Sequence, residues 1–565
     1  MSALLQRFTG IALAFSCACG QTPWSTSESS TAVAGASGTA SVAGASGMLQ
    51  PASSASAGTA GTSAGSAGSS GALAIADDRG GVAGSAAGVS SASAAGMSGA
   101  SAGAAPIIQT QVVSSASDAL WKTEAFSEEA NGPPDVIVDD TKTYQTFDGF
   151  GGTFNERSWS YLTLLSEGER ARALNLLFGT EGARFVFGRL PIGANEFAID
   201  RYTLDVTDDD STPDPSMEKF SLSRDQKYLI PYVKAALALN PGLRFLAVPW
   251  TPPVWMKTGS LPLNGVPSGY DGGNMKEDAT TLQAFALYLA KFVQEYGKQG
   301  ITVEAIAVQR EPSFADNFPS CIWTTPSYVK FVRDYLSPMF AAQGVNARVY
   351  IGLMENGEES SLDTAIVSSV KADAQALKAI SGFGFEWGMI KQMARVTSLN
   401  LPVIQTEHQP GNFPWLSTFQ RDKPPNDYAY AIESWGLIRD WLKAGATAYI
   451  AKHMVLDSVG LGLDSQRIWP QNSLLVVDTE TRALTVTPAF YVFDHFSHFV
   501  VPGAKRIDVT STTLDALAFK NPDGSIVTVM HNSDSSSKQL TTAVGGSSIQ
   551  FTIPANGFAT LLKAP

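Results

Sequence analysis

The feature that most constrains the fold is a series of eight short apolar segments that alternate with longer helical stretches between residues 147 and 454. The short segments have the length of buried strands, and the intervening stretches carry apolar residues at helical spacing, as in Leu282, Phe285 and Leu289. Eight parallel strands that alternate with helices can close into a barrel. The sequence predicts a (β/α)8 TIM barrel with strands at 147–150, 183–190, 243–249, 303–309, 348–353, 382–387, 402–406 and 446–454.

The segments on either side of this barrel have a different pattern. Residues 491–565 alternate short β-prone runs with turn signals such as Asn521-Pro522-Asp523-Gly524. Residues 107–146 contain further β-prone runs, separated by Asn131-Gly132-Pro133-Pro134. We therefore expect an α/β protein in which the barrel, residues 147–490, carries an all-β sandwich of residues 491–565. Strands from 107–146 are expected to complete that sandwich, because they add apolar surface that it can bury.

The first 106 residues are expected to lie outside the folded part. Residues 1–19 place Arg7 before an apolar run and small residues, which is the outline of a secretory signal peptide. Cys17 and Cys19 follow small residues, so either could carry a lipid anchor to the membrane, although neither fits the usual lipoprotein pattern and simple secretion stays open. Residues 20–106 are mostly Ala, Gly and Ser and are expected to form a disordered linker. We expect a secreted or cell-surface protein.

Charge and cysteine content exclude several kinds of partner. The net charge of -13 and the absence of Lys/Arg runs argue against nucleic acid. The three cysteines, Cys17, Cys19 and Cys321, lack metal-ligand spacing and are too few for a disulfide framework. The acidic stretch 205–214 lacks the ligand spacing of an EF-hand, so a solvated loop is expected there rather than a calcium site. We expect a monomer that needs no cofactor and no metal.

Two of the predicted strands end in a glutamate. Glu311 follows the fourth strand and is itself followed by Pro312, which stops strand pairing, and Glu407 ends the seventh. The C-terminal ends of barrel strands meet at the face where barrel enzymes do their chemistry. A single carboxylate there could be an ordinary ion-pair partner. Two carboxyls on one rim are what a glycosidase needs, since one protonates the leaving oxygen and the other meets the anomeric carbon.

Six short motifs make the sequence from residue 107 onward resemble glycoside hydrolase family thirty. Each motif is weak alone, but they occur in the family's order, and each falls at a predicted strand end or in the loop beyond it. They are DGFGGTF at 148–154, RLPIGA at 189–194, PWTPPVWMK at 249–257, QREP at 309–312, SCIWT at 320–324 and QTEH at 405–408.

The resemblance implies a retaining β-glycoside hydrolase that acts on a β-linked oligosaccharide, polysaccharide or glycoconjugate. Glu311 would be the general acid/base and Glu407 the nucleophile that forms a covalent glycosyl-enzyme. For Trp250 the alternative is core packing. The residues expected to bind the sugar substrate are Arg189, Glu196, Trp250, Arg310, Trp387, Lys452 and His453.

Two positions depart from the family pattern. Arg310 stands where the family usually has Asn before the acid/base, and Lys452-His453 stands where it often has Trp-Asn. The added basic residues leave three interpretations open: an acidic sugar, a displaced 2-hydroxyl, or a site whose basic residues pair with its own carboxylates. In the last case the alternative to an enzyme is a catalytically impaired carbohydrate-binding protein. The sequence does not name the sugar or the linkage.

Overall fold

The computed structural model describes residues 109–565 except 129–131, 208, 409, 415, 465, 467 and 468. The predicted signal peptide, the linker and both candidate anchor cysteines lie outside these described residues, and those predictions stay untested. Among the helices that are described, none is long and apolar enough to cross a membrane.

Eight parallel strands close into a barrel, which confirms the predicted fold. Each strand pairs with the next in the sequence, and the eighth closes the barrel by pairing Ala448 with Gly149 of the first. Side chains along a barrel strand point alternately into the barrel and toward the helices, which gives two apolar cores. Leu246 and Val248 lie in the cluster inside the barrel, whereas Phe245 packs outside against the helices. The barrel strands are Gly149–Thr153, Phe187–Ile192, Arg244–Pro249, Val303–Ala307, Arg348–Met354, Gly382–Glu386, Val403–His408 and Ala448–Ala451.

The helices surround the barrel and bury one apolar face each. In Ala279–Lys298, Leu282, Phe285 and Leu289 are fully buried, as the helical spacing predicts. Asp278 caps this helix by accepting a hydrogen bond from the Thr281 amide. The α-helices are Glu156–Leu164, Glu167–Phe178, Leu229–Leu239, Ala279–Lys298, Thr325–Lys330, Ser337–Gln343, Leu362–Ala372, Ala374–Ala379, Met393–Val396, Ala429–Ala444 and Pro488–Ser497.

Short strands occupy the loops beyond the barrel. Among them, Val455–Asp457 pairs with Leu475–Val477 just after the eighth barrel strand. This explains why the eighth strand, predicted to reach residue 454, ends at Ala451: the apolar run continues into a second, separate sheet. The small sheets consist of Lys257–Thr258 with Asn274–Met275, Pro262–Leu263 with Val266–Pro267, and Val455–Asp457 with Leu475–Val477 and Leu484–Val486.

A ten-stranded sheet contains strands from both ends of the described chain and encloses its own apolar core. Gln111–Ala116 pairs with Gly557–Lys563, and Val136–Phe147 pairs with Ala504–Ser511. Phe147, predicted to begin the first barrel strand, therefore ends a strand of this sheet. Its strands are Gln111–Ala116, Ala119–Glu124, Phe126–Ser127, Val136–Phe147, Ala504–Ser511, Asp515–Lys520, Ile526–Asn532, Lys538–Val544, Ser547–Ile553 and Gly557–Lys563.

The sequence predicts that the sandwich starts at residue 491, but this residue lies within the helix Pro488–Ser497. Its Phe493 and Phe496 rings contact Phe150 of the first barrel strand, with centroids 6.0 and 5.7 Å away. This helix therefore packs on the barrel, and the C-terminal strands begin only at Ala504.

Candidate active site

Glu311 lies just beyond the fourth barrel strand in a backbone conformation that few residues adopt. Its φ angle of 43° is in the left-handed region, which costs a non-glycine residue about 1–2 kcal/mol. Two backbone hydrogen bonds hold it there: the Glu311 amide donates to Leu353 O at 2.8 Å, and the Arg310 amide donates to Pro249 O at 3.0 Å. The neighbouring third and fifth strands thus fix where the Glu311 side chain begins.

Glu407 reaches the barrel interior through an irregularity in the seventh strand. Phe385 of the sixth strand pairs with Gln405, whereas the next residue, Glu386, pairs with Glu407, so Thr406 is an extra residue. A bulge of this kind turns the following side chain to the opposite face of the sheet. Phe385 packs on the outer side of the barrel. Glu407, as the partner of Glu386, therefore faces inward.

Cations and an indole surround the buried carboxylate of Glu407. Arg189 Nη2 lies 3.0 Å from Oε1, while Lys452 Nζ at 3.1 Å and Arg310 Nη2 at 3.3 Å contact Oε2. Trp387 Nε1 donates to the same Oε2 at 3.1 Å. Burial alone would raise the pKa of Glu407, but the positive charges of Lys452, Arg310 and Arg189 hold that pKa well below its ordinary value. Glu407 is thus ionised, as a nucleophile must be.

Glu311 has the opposite balance of effects. Burial raises the pKa of Glu311 well above its ordinary value, even though the positive charge of the adjacent Arg310 opposes the shift. Arg310 cannot neutralise Glu311 fully, because the same guanidinium also contacts Glu407 and lies 3.5 Å from Asp316. Glu311 therefore keeps its proton near neutral pH, which is what a general acid requires.

A third carboxyl, Glu386, lies close to these two. One side-chain oxygen from each of Glu311, Glu386 and Glu407 lies within 4.8 Å of the other two. The sequence prediction missed Glu386, although it ends the sixth strand and Glu407 lies next to the end of the seventh. The signal that identified Glu407, a carboxyl at a strand end followed by an aromatic or polar turn, is also present in Glu386-Trp387.

Arg310 and Lys452, the two departures from the family pattern, both pair with carboxylates of the protein. Lys452 Nζ lies 3.1 Å from Glu196 and 3.1 Å from Glu407, and Arg310 joins Glu311 to Glu407. Burial would raise the pKa of Glu196, but Lys452 and Arg310 lower it, so this carboxylate is ionised. Among the three interpretations of the added basic residues, the structure favours internal ion pairing.

Trp250 lies beneath the cationic residues and is 1% exposed. Its ring centroid is 5.1 Å from the Arg189 guanidinium carbon and 5.9 Å from that of Arg310. The buried indole packs under both arginines. Trp250 can therefore be part of the core and also lie in the candidate pocket.

His453 stands apart from the carboxyl cluster. Its Nε2 is 2.6 Å from Gln471 Oε1 and its ring centroid is 4.1 Å from that of Phe197. Burial lowers the pKa of His453 to about 3, so the ring is neutral. Within the part of the chain that the structure describes, His453 forms no hydrogen bond with these carboxyls, although the charges of Glu196 and Glu407 act on its pKa.

Aromatic side chains extend from the cluster along the barrel rim. The half-buried Trp387, which bonds to Glu407, has its ring 5.7 Å from Phe413 and 6.4 Å from Trp469. Phe413 and Trp469 lie 5.3 Å apart. Glu407 is therefore adjacent to an apolar wall of three rings, a surface that suits the flat faces of sugars or other apolar groups.

The carboxyl cluster does not fit a metal ion. Glu311, Glu386 and Glu407 form the one group of potential ligands found among the described residues, but Arg310 contacts all three. A cation placed there would be repelled by that guanidinium. In the acidic stretch 205–214, Asp205 accepts a hydrogen bond from Trp255 Nε1 at 2.7 Å, which gives that carboxylate a role within the fold.

The chain shares this architecture with known proteins. Residues 147–500 match the glycosyl hydrolase family 30 TIM-barrel domain, and residues 503–561 match the glycosyl hydrolase family 30 beta sandwich domain. The chain is 26% identical over 431 residues to the lysosomal acid glucosylceramidase of Mus musculus, with 71% of this chain and 77% of that protein covered. It is 25% identical over 452 residues to the endo-1,6-beta-D-glucanase of Neurospora crassa, with 76% and 89% covered.

A solved structure shows the same fold. SrfJ from Salmonella typhimurium has a TM-score of 0.70 and 24% sequence identity, and the match covers 81% of this chain and 100% of that one. The matches of both domain types, in order and over nearly all of the described chain, identify this glycoside hydrolase as a member of glycosyl hydrolase family 30.

Proposed function

We propose that this enzyme hydrolyses β-glucosides with retention of configuration, with Glu407 as the nucleophile and Glu311 as the general acid/base. The observation that carries the proposal is the closeness of an ionised and a protonated carboxyl, since one oxygen of Glu407 and one of Glu311 lie within 4.8 Å of each other. Retaining glycosidases have carboxyls about 5–5.5 Å apart, whereas inverting ones leave about 6.5 Å or more for a water molecule.

The reaction follows from the two protonation states. A Glu407 oxygen attacks the anomeric carbon while the bond to the leaving oxygen breaks, and the Glu311 proton passes to that oxygen. Glu311 is then a carboxylate and takes a proton from a water molecule, whose oxygen attacks the anomeric carbon and releases Glu407. Arg189, Lys452 and the Trp387 indole stabilise the ionised form of Glu407. They do so before it attacks and again when it leaves the anomeric carbon.

The ion pairs favour a neutral sugar. The positive charges of Arg189, Arg310 and Lys452 are already in contact with the carboxylates of Glu407 and Glu196, so a sugar carboxylate would have to compete with these carboxylates. One relative is named for glucosylceramide and another for β-1,6-glucan, and β-linked glucose is common to both. The aromatic wall of Trp387, Phe413 and Trp469 supports a leaving group with an apolar face.

Proton NMR during turnover tests this function directly. With an aryl β-glucoside, we expect the first-formed product to be β-glucose, with α-glucose growing only as mutarotation proceeds. A panel of aryl β-glucosides, β-glucuronides, β-galactosides and β-xylosides should give the highest kcat/KM for the glucoside. First-formed α-glucose would contradict retention, and no turnover of any substrate would support the impaired carbohydrate-binding alternative.

A matched experiment asks what Arg310 does. Because Arg310 lowers the pKa of both Glu311 and Glu407, the Arg310→Asn variant should raise both. The acid and basic limbs of its kcat/KM profile should both move to higher pH, by about one unit or more for a charge in direct contact. Preference between glucoside and glucuronide should change little.

The same variant distinguishes the interpretations of this residue. If Arg310 recognises an acidic sugar, Arg310→Asn should lose activity on the glucuronide selectively, by some ten- to hundredfold, without a shift of both limbs. Arg201→Asn is the control for loss of a guanidinium near the barrel rim, since Arg201 pairs with Asp271 rather than with the carboxyl cluster.

A further inference from the structure

Glu386 is a buried carboxyl that the double-displacement mechanism does not use. It is 0% exposed, its Oε1 lies 3.5 Å from Arg189 Nη1, and its Oε2 lies 3.9 Å from Arg310 Nη2. Neither contact is a close hydrogen bond, and Oε2 has no hydrogen-bond partner among the described residues. Arg189 and Arg310, which contact Glu407 more closely, therefore offset only part of the cost of a buried negative charge on Glu386.

The side chain of Glu386 lies beside that of Glu407, the proposed nucleophile. The two residues are register partners across the sixth and seventh strands, one side-chain oxygen of each lies within 4.8 Å of the other, and the interaction with Glu386 lowers the pKa of Glu407. A hydrogen bond between two carboxyls needs a proton on one of them, because two carboxylates offer only acceptors. Adjacent carboxyls in a buried site share a proton for the same electrostatic reason.

The surrounding contacts decide which of the two holds that proton. Glu407 has close contacts with Arg189, Lys452, Arg310 and the Trp387 indole, all of which favour its ionised form. Glu386 lacks such contacts, and burial together with the charge of Glu407 raises the pKa of Glu386 well above its ordinary value. The proton belongs on Glu386.

We propose that Glu386 is a positioning residue that stays protonated and donates a hydrogen bond to Glu407, so that it orients the nucleophile and helps to keep it ionised. This inference rests on the proposed function, since it assigns Glu386 a task toward the nucleophile. The Glu386 proton is not transferred during the reaction: it remains on Glu386 when Glu407 forms its ester with the sugar and when that ester is hydrolysed.

The acid limb of the kcat/KM profile is the readout, because it reports the pKa of the nucleophile in the free enzyme. If a neutral Glu386 donates to Glu407, removing the donor raises the pKa of Glu407. If Glu386 were an ionised neighbour, removing its negative charge would lower the pKa of Glu407. The two cases thus predict shifts of opposite sign.

The charged and titratable groups that face this pair are Arg189, Glu196, Arg310, Glu311, Asp316, Glu355 and Lys452.

Two variants and one control make up the experiment, with an aryl β-glucoside as the substrate. Glu386→Leu removes the donor at similar size, and Glu386→Gln keeps a neutral donor. The control is Glu355→Leu at the end of the fifth strand, where burial raises the carboxyl pKa to about 7. Glu355 is therefore already neutral at the acid limb, and its loss should leave that limb in place. Thermal unfolding at each pH confirms that every variant is folded.

For Glu386→Leu we expect the acid limb to move up by about one pH unit, as loss of one hydrogen bond to a charged group implies. Its kcat should fall at least about tenfold, with a smaller change in KM, because the nucleophile is less well oriented. Glu386→Gln should keep the acid limb in place and restore kcat to within about threefold of the unmodified enzyme.

A downward shift of the acid limb in Glu386→Gln would overturn the proposal, because it would show that an ionised carboxylate had been removed. An unmoved acid limb in Glu386→Leu would also overturn it. The proposed function fails separately, namely if Glu407→Gln retains activity. An inactive Glu407→Gln together with an unmoved acid limb in Glu386→Leu would reject the role of Glu386 alone.

Discussion

Glu407→Gln is expected to lower kcat on every β-glucoside by about 10⁵-fold, a loss of roughly 7 kcal/mol of transition-state stabilisation. An amide oxygen cannot form the covalent glycosyl-enzyme, so even a substrate with a very good leaving group should not react. The change also removes the charge that Arg189, Arg310 and Lys452 share. We expect that lost ion pairing to lower the melting temperature as well.

Thermal unfolding therefore accompanies the kinetics, so that lost activity is assigned to chemistry only at temperatures where the variant is folded. Glu304→Gln provides the matched control, because Glu304 sits early in the fourth strand and pairs with Arg348 away from the carboxyl cluster. That variant should keep full activity. Rapid hydrolysis of activated glucosides by folded Glu407→Gln would show that Glu407 is not the nucleophile.

The barrel could be predicted because its strands depend on local patterns. Each strand is a short apolar run, and the spacing of leucines and phenylalanines in Ala279–Lys298 predicts which face of that helix is buried. The strand boundaries are harder to predict where one continuous apolar run contributes to two strands in different sheets. Phe147 ends a strand whose partner, Ala504–Ser511, lies more than 350 residues away, and no local signal shows that pairing.

The two glutamates could be placed on one rim, but their geometry could not be derived. Strict alternation from Ile404, whose side chain lies in the inner cluster, would turn Glu407 outward. The extra residue Thr406 reverses this, and a bulge is specified by the pairing of the neighbouring strand rather than by the strand itself.

The role of the basic residues was also beyond local reasoning. Arg310 and Glu407 are 97 positions apart, and whether they touch depends on barrel closure. The sequence could show that Arg310 and Lys452 add positive charge to the pocket, but not that Glu196 and Glu407 are there to receive it. Glu386 was missed for a different reason: it was included in a predicted strand without being considered as a strand-end carboxyl.

Glu311→Gln is expected to separate substrates by leaving group. For alkyl β-glucosides, whose leaving oxygen needs the proton of Glu311, kcat/KM should fall by about 10³–10⁴-fold. For dinitrophenyl β-glucoside, which leaves as a stable anion, kcat/KM should fall by less than about tenfold, because Glu407 can still attack. The basic limb of the pH profile should also disappear, since burial gives Glu311 the raised pKa that this limb reports.

Azide provides the decisive addition to this experiment. Glu311→Gln lacks the carboxylate that activates water in the second step, so the glycosyl-enzyme should accumulate with dinitrophenyl β-glucoside. Azide is already an anion and needs no base, so it should attack the anomeric carbon, release Glu407 and yield β-glucosyl azide. Formation of that β-product requires two inversions, and hence a covalent intermediate on Glu407. If Glu311→Gln instead cleaved alkyl and dinitrophenyl glucosides at the unmodified rates, another carboxyl would be the acid, and Glu386 would be the first to test because of its raised pKa and its place beside the nucleophile.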